Sequence, residues 1–341
     1  MKEVVLNDST VRSGLFPFTH VRHVSDIRIG ILTLREKWEF LLKQPVLLSS
    51  EPFGPGMPAN IVATTENIPA LSQNIQPGQS SKLIQYPWHI FQLNDWALRK
   101  DFEMITANRV SARIPAGVQV TNPSQVFIED GAILSNCILN AATGPIYIGK
   151  NAEVMEGAII RGPLALCEGA VVKMGAKIYG ATTVGPYSVV GGEIKNSVIF
   201  GYSNKAHDGY LGDSVVAEWC NLGAGTSNSN LKNNAGEIKT WNASTSKPDD
   251  VGIKCGLLMG DYSRSAINTS FNTGTTVGVS CNVFGEGLTP IFIPNFSWGY
   301  KPVAKYEFEK AIRDISNWKQ LKGKLLSQEE ITQLRNIFNQ L

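Results

Sequence analysis

Eight aliphatic residues stand six apart: Ile148, Val154, Ile160, Leu166, Val172, Ile178, Val184 and Val190. Four positions after the first seven come Ala152, Ala158, Leu164, Ala170, Ala176, Thr182 and Ser188, small in six cases. A helix repeats every ~3.6 residues and a strand every ~2, so neither gives a six. A coil of short strands and turns does, with one large aliphatic side chain per unit aimed into a narrow core and a small residue at each bend. The period predicts a parallel β-helix. A second tract resumes it at Ile253, Met259, Phe271, Val277 and Val283, with Ser265 the one polar member. Leu257, Ser263, Thr269, Thr275 and Cys281 hold its second slot. Between the tracts, 192–250 is rich in Asn, Gly, Ser and Lys and reads as a polar excursion, where function concentrates.

The flanks lack this period. Residues 1–105 read as a small α/β domain, 106–289 as the coil, and 290–341 as an aromatic and proline segment followed by helices. In the first part, Val4–Leu6 predicts a buried strand. Ile27, Ile31, Leu34, Trp38 and Leu41 predict an amphipathic helix over 26–42 capped by Ser25. Pro87 opens a second candidate helix over 86–102, and 61–81 drifts toward polar loop. Near the end, Ser327 and Glu330 have the spacing of a capping box.

A net charge of +2 over 341 residues makes no strong bid for nucleic acid or membrane. No apolar run is long enough to span a bilayer, and MKEVVLNDST is too short in apolar residues for a signal peptide. The five cysteines form no C-x-x-C pair and read as reduced core residues of a cytoplasmic protein. His20 and His23 have no nearby carboxylate or thiol to complete a metal site, so none is expected. Trp88, Trp96, Trp298 and Trp318 read as packing anchors.

The chemistry-bearing residues gather in the excursion. His207, one of four histidines, is surrounded in sequence by Lys195, Lys205, Asp208, Tyr210, Asp213, Asn221, Asn230 and Lys239. Histidine can take a proton from an amine near neutral pH. Lysines can hold a phosphate, and asparagines can orient sugar hydroxyls or amides. The set fits acyl transfer onto a small phosphorylated amino sugar.

Residues 205–230 read K-A-H-D-G-Y-L-G-D, then N-L-G-A-G-T-S-N-S-N. This pairing resembles the acetyltransferase half of the bifunctional N-acetylglucosamine-1-phosphate uridyltransferase/glucosamine-1-phosphate acetyltransferase family. The resemblance implies a mainly β fold: a left-handed parallel β-helix preceded by a small α/β nucleotidyltransferase-like domain and followed by C-terminal helices. It implies His207 as general base and Tyr210, Asn221 and Asn230 as sugar contacts. Lys195 falls at a phosphate-binding lysine. Ala224 falls where backbone meets acetyl-coenzyme A. Lys239 matches a substrate lysine after a three-residue insertion, and Arg161 matches a phosphate-binding arginine on a shifted register. It further implies sugar-nucleotide and cell-envelope synthesis, and, with Val198, Ile199, Phe200 and Trp219 lying off the core phase where a lone coil would expose them, a homotrimer with His207 near a subunit boundary.

Residues 15–42 resemble the opening of a sugar nucleotidyltransferase domain. The active signature there, L-x-x-G-x-G-x-R, uses glycine amides to cradle a triphosphate. Here the stretch reads Leu6-Asn7-Asp8-Ser9-Thr10-Val11-Arg12, with no glycine before Gly14. Mg²⁺ is implied only if that domain is active. Three readings stand: an acetyl-coenzyme A-dependent N-acyltransferase, a UDP- or dTDP-sugar-forming nucleotidyltransferase, and a non-catalytic β-helix that binds sugar nucleotides.

Overall fold

The computed structural model describes residues 3–52, 54–71 and 81–341. From Gln119 the chain winds into the expected left-handed parallel β-helix, a three-sided prism whose sides are sheets of six, nine and ten strands, parallel except for Ala304–Lys305 at the end of the ten-stranded one. We call these faces one, two and three. In the regular tract each coil takes eighteen residues, so Ile146 pairs with Leu164 and Leu164 with Thr182. The eight aliphatic residues of the first tract are all buried, and so are their small partners. Stacking like on like puts the inner residues of successive coils in one continuous apolar column.

The break in the period is only partly a break in the coil. Lys177 pairs with Glu193, sixteen residues on, and Thr183 with Val198, fifteen on. Corners at Gly192 and Asn196, both at positive φ, shorten the turn and shift the sequence phase without unwinding the helix. The true excursion is shorter than 192–250. Val215 pairs with Leu258, forty-three residues later, and the extra chain holds an antiparallel hairpin of Ile238–Asn242 and Lys247–Gly252. Ile253, expected in the core, ends this hairpin and is 56% exposed. The coil also runs past 289: Phe292–Ile293 pairs with Thr276–Val277, and Trp298 with Asn282.

The N-terminal region carries a three-stranded parallel sheet with Val5–Asn7 between Leu47–Ser49 and Met57–Pro58. The helix expected over 26–42 begins only at Leu34, behind a capping box of Thr33 and Glu36. The cause is tertiary. Gly30, at φ +71, turns a hairpin between Arg28–Ile29 and Leu32–Thr33. Asn94 Oδ1 accepts from Gly30 N at 2.8 Å, and Asp101 Oδ2 accepts from Ile31 N at 2.7 Å and Leu32 N at 3.2 Å. The second candidate helix is two pieces, His89–Gln92 and Asn94–Thr106. Part of the 61–81 loop lies outside the described residues. The Ser327–Glu330 capping box is present and opens the helix Gln328–Asn339, which follows Phe308–Leu321.

These two ends cover two sides of the prism. The N-terminal region lies on face two, where Thr183 Oγ1 donates to Gly30 O and Asn94 Nδ2 to Ala181 O. The C-terminal helices lie over the corner between faces two and three. That corner carries Tyr187, Tyr202, Trp219, Tyr262, Ser280 and Phe296, one per coil, all at positive φ. Tyr202 stacks on Trp219 with ring centroids 4.3 Å apart. Val198, Ile199, Phe200 and Trp219, which the sequence leaves off the core phase, are buried within one chain. Ile199 is an inner residue of the phase-shifted coil, and Phe200 packs on Phe18 beneath Arg22. Their burial therefore needs no second subunit.

His20 sits partly buried beside the ring of Phe16, at a centroid distance of 4.9 Å. Burial, reinforced by the Arg12 guanidinium, pushes its pKa down to about 4. The unfolded chain binds this proton below pH ~6.5 while the native state refuses it until pH ~4. Stability is thus expected to fall by about 1–2 kcal/mol between pH 7 and pH 5, the upper part of that window. Urea titrations at pH 7 and pH 5 measure it, and His20→Asn should flatten the difference.

Candidate functional site

Face one is the side that neither end covers. Its outward residues include Ile159, Lys177, Glu193 and Tyr210, stacked in register on successive strands. His207 lies at its edge, exposed, in the corner between Asn204–Lys205 of face three and Tyr210–Gly212 of face one. Ala224 and Gly225 form the same corner one coil further on, where Gly225 N donates to Asp208 O at 3.0 Å. A groove of about 300 Å³ opens beside this corner, lined by Lys177, Glu193, Asp208 and Tyr210 with glycines between.

Tyr210 is held by its neighbours. Its phenol lies along its own strand over Gly212, so close that a Cβ at 212 would come within 2.2 Å of the hydroxyl. Asn230 Nδ2 donates to Tyr210 Oη at 3.1 Å and to Asp213 Oδ2 at 2.5 Å. Asn196 Nδ2 donates to the other Asp213 oxygen at 2.6 Å. Burial, then the Asp213 carboxylate, holds the Tyr210 phenol well above its ordinary pKa, so it stays neutral and able to donate. Lys195 pairs with Gly212 on the adjacent strand, and its ammonium lies 5.9 Å from the centre of the Tyr179 ring. Tyr179 Oη donates to Glu193 Oε1 at 2.6 Å, and that bond raises its pKa to about 12.

The structure thus gathers Lys195, Tyr210 and Asn230 on one face, with His207 and Ala224 along its edge. Arg161 stands exposed on the same face two strands below Lys195, roughly 10 Å away at the usual inter-strand spacing. Two expected residues stand apart within one chain. Asn221 belongs to face three, where Asn204 Nδ2 donates to its side chain at 3.5 Å and Lys322 Nζ reaches Asn204 at 3.0 Å. Lys239 belongs to the hairpin, 3.7 Å from Asp250, on a strand anchored by Thr240 Oγ1 to Gly274 O. Both are implied by the resemblance, position by position along the chain, and coil register sets them away from Tyr210 within one chain. Lys177 and Glu193 were missed for the same reason: only coils of sixteen and seventeen residues stack them under Tyr210.

Lys205 is unusual. Its strand slot pairs with Val190 below, an inner aliphatic position, and its side chain is 1% exposed. Its ammonium donates to the His207 carbonyl oxygen. Burial lowers its pKa to about 8, with Asp208 opposing the shift.

In the N-terminal region the glycine-poor loop is filled by its own side chains. Asp8 is fully buried, accepting from Arg12 Nη1 at 2.8 Å, Val24 N at 3.1 Å and Ser50 Oγ at 2.7 Å. Asn7 Nδ2 donates to Glu51 O and Gly54 O. A cavity of about 610 Å³ lies beyond, between Ser9, Arg12, His20, the hairpin and the last helix. Among the described residues, no group of three His, Cys, Asp or Glu side chains is placed to hold a metal ion. The five cysteines are free and buried, as expected of core residues. No helix among the described residues is long and apolar enough to cross a membrane.

Residues 4–53 match the sugar nucleotidyl transferase family model. Bifunctional protein GlmU of Methanocaldococcus jannaschii is 31% identical over 215 residues, which is 63% of this chain and 46% of that protein. The bifunctional sugar-1-phosphate nucleotidylyltransferase/acetyltransferase of Sulfurisphaera tokodaii is 29% identical over 201 residues, 58% of this chain and 43% of that one. Among solved structures, the UDP-N-acetylglucosamine acyltransferase of Francisella novicida aligns with a TM-score of 0.34 at 10% identity, covering 66% of this chain and 76% of that one. The chain spans about half the length of the curated relatives it matches. Its sequence is similar to those bifunctional sugar-1-phosphate nucleotidylyltransferase/acetyltransferases, with a sugar nucleotidyl transferase match at its start.

Proposed function

We propose that the chain transfers an acetyl group from acetyl-coenzyme A to the amine of an amino-sugar phosphate, resembling glucosamine-1-phosphate, at the His207 edge of face one. The observation that carries this reading is the placement of an exposed histidine beside a groove lined by Lys177, Glu193, Asp208 and a Tyr210 held by Asn230. Lys195, with Arg161 further along, supplies cations for the phosphate. Tyr210 and Asn230 orient the sugar. The acceptor nitrogen forms a bond to the thioester carbonyl carbon, and the C–S bond breaks. His207 takes the proton from the nitrogen, and the departing thiolate is reprotonated from the medium. The Ala224–Gly225 corner, lacking bulk, leaves backbone for the coenzyme arm to lie along. Reduced thiols and this chemistry fit a cytoplasmic enzyme of sugar-nucleotide and cell-envelope synthesis. Incubation with acetyl-coenzyme A and a panel of amino-sugar phosphates, followed by mass spectrometry, is expected to show N-acetylated product. A panel with no product refutes the reading.

A homotrimer belongs to this proposal. Ile138 and Ile159 on face one and Met174 and Ile267 on its corner are exposed at 37–69%, apolar surface that a second copy would cover. Such packing would bring a neighbour against the His207 edge. Light scattering is expected to give three times the 37.1 kDa chain mass. A monomer at micromolar concentration contradicts this.

Nucleotidyl transfer is the second reading, favoured by the match over residues 4–53. The filled Asn7–Arg12 loop argues against tight binding of a triphosphate, because side chains stand where backbone amides would meet phosphate. UTP and dTTP are expected to bind with Kd at or above about 1 mM, no better than about −4 kcal/mol. Isothermal titration with Mg²⁺ tests this. Micromolar binding would move nucleotidyl transfer, or sugar-nucleotide binding without catalysis, into first place.

A further inference from the structure

A lysine inside a β-helix core calls for a reason. The slot at 205 faces inward between coils whose matching residues are Val190 and Leu222. An aliphatic residue there would bury cleanly, whereas an ammonium must be stripped of water. The side chain is 1% exposed; its ammonium donates to the carbonyl oxygen of His207, two residues away, and the Asp208 carboxylate is its charged neighbour. An ammonium has three donors, and the carbonyl engages only one of them. As a stability device this is a poor choice. Its geometry has a different consequence. The carbonyl it grips belongs to the corner that presents the His207 imidazole, and that corner is otherwise tied by two neighbours. Gly225 N donates to Asp208 O at 3.0 Å, and Glu193 N to Gly209 O at 3.2 Å. Neither tie reaches residue 207.

We infer that Lys205 is a positioning residue, clamping the His207 carbonyl from inside the coil so that the imidazole meets the acceptor amine over the face-one groove. This rests on the proposed acetyl transfer at His207. The clamp trades stability for orientation. Removing it should therefore raise stability and lower turnover together, a combination that a merely structural lysine would not give.

Lys205→Met keeps the length of the side chain and removes the charge. Its melting temperature is expected to rise by about 2–4 °C, while kcat falls at least about tenfold with KM for the amino sugar changed by less than about threefold. Hydrogen exchange supplies a readout independent of activity. The Gly225 and Glu193 amides, which donate into the same corner, are expected to exchange about tenfold faster in the variant although the protein melts higher. A variant that unfolds, or melts lower, shows that Lys205 serves the fold and overturns the inference. So does unchanged exchange at those two amides, or unchanged kcat in an active enzyme. If the native protein transfers no acetyl group, the proposed function fails by itself, and the exchange measurement still decides whether Lys205 holds the corner.

Discussion

His207→Ala is expected to lower kcat for acetyl transfer by about 10²–10⁴ while leaving the melting temperature unchanged. The imidazole is exposed at a coil corner and contributes no apolar burial, so its loss leaves no cavity. Its neighbours are held through backbone and side-chain bonds that survive the change: Gly225 N to Asp208 O, and Asn230 to Tyr210. The loss should therefore be one of proton transfer. KM for the amino sugar should move little, because Lys195, Tyr210 and Asn230 are retained. A steady-state comparison with purified protein checks this, and transfer unchanged within a factor of two removes His207 from the mechanism.

Asp101→Ala is expected to cost about 3–5 kcal/mol of stability. Lys37 and Asp101 form an ion pair with side chains 0% and 3% exposed. Burial pushes the lysine pKa down and the carboxyl pKa up, so neither charge is comfortable without the other. The same carboxylate oxygen accepts from Ile31 N and Leu32 N, locking the hairpin that rests on face two. Alanine would strand one ammonium and two buried amides together. The pair Lys37→Met and Asp101→Asn should recover most of the loss, because the amide oxygen can still accept from Ile31 and Leu32. Denaturant titration of the single and double variants measures both effects.

The parts of this fold that were legible in sequence are those where one residue decides one contact. Every coil from Ile148 to Val190 puts an aliphatic side chain inward, so the six-residue beat survives unaltered. It fades where corners shorten at Gly192 and Asn196, because the prism tolerates coils of fifteen to seventeen residues while a fixed period does not. It is hidden again at Lys205, where an inward slot carries a charge. The helix expected over 26–42 was half lost because Asp101 and Asn94, some seventy residues away in the chain, claim the amides around Gly30. A signal for the covered corner was present but unread: Tyr187-Ser188, Tyr202-Ser203, Trp219-Cys220, Tyr262-Ser263 and Phe296-Ser297 repeat an aromatic followed by a small residue. Each pair marks a left-handed corner onto which the C-terminal helices dock.

The candidate site divides in the same way. His207 and Tyr210 lie three apart around one corner, so spacing alone places them together. Tyr210 and Asn230 meet because Asn230 stands where the excursion leaves the coil. Asn221 and Lys239 could not be placed from the sequence, since the face a residue occupies depends on the lengths of every preceding corner. Lys177 and Glu193 became neighbours of Tyr210 only through that register.

The central claim is acetyl transfer to an amine at the His207 corner, and thiol release measures it most directly. Native protein with acetyl-coenzyme A is expected to release free thiol when glucosamine-1-phosphate is added, and not when glucose-1-phosphate, which lacks the amine, replaces it. Release that is absent with the amino sugar, or equal with both sugars, would contradict the account.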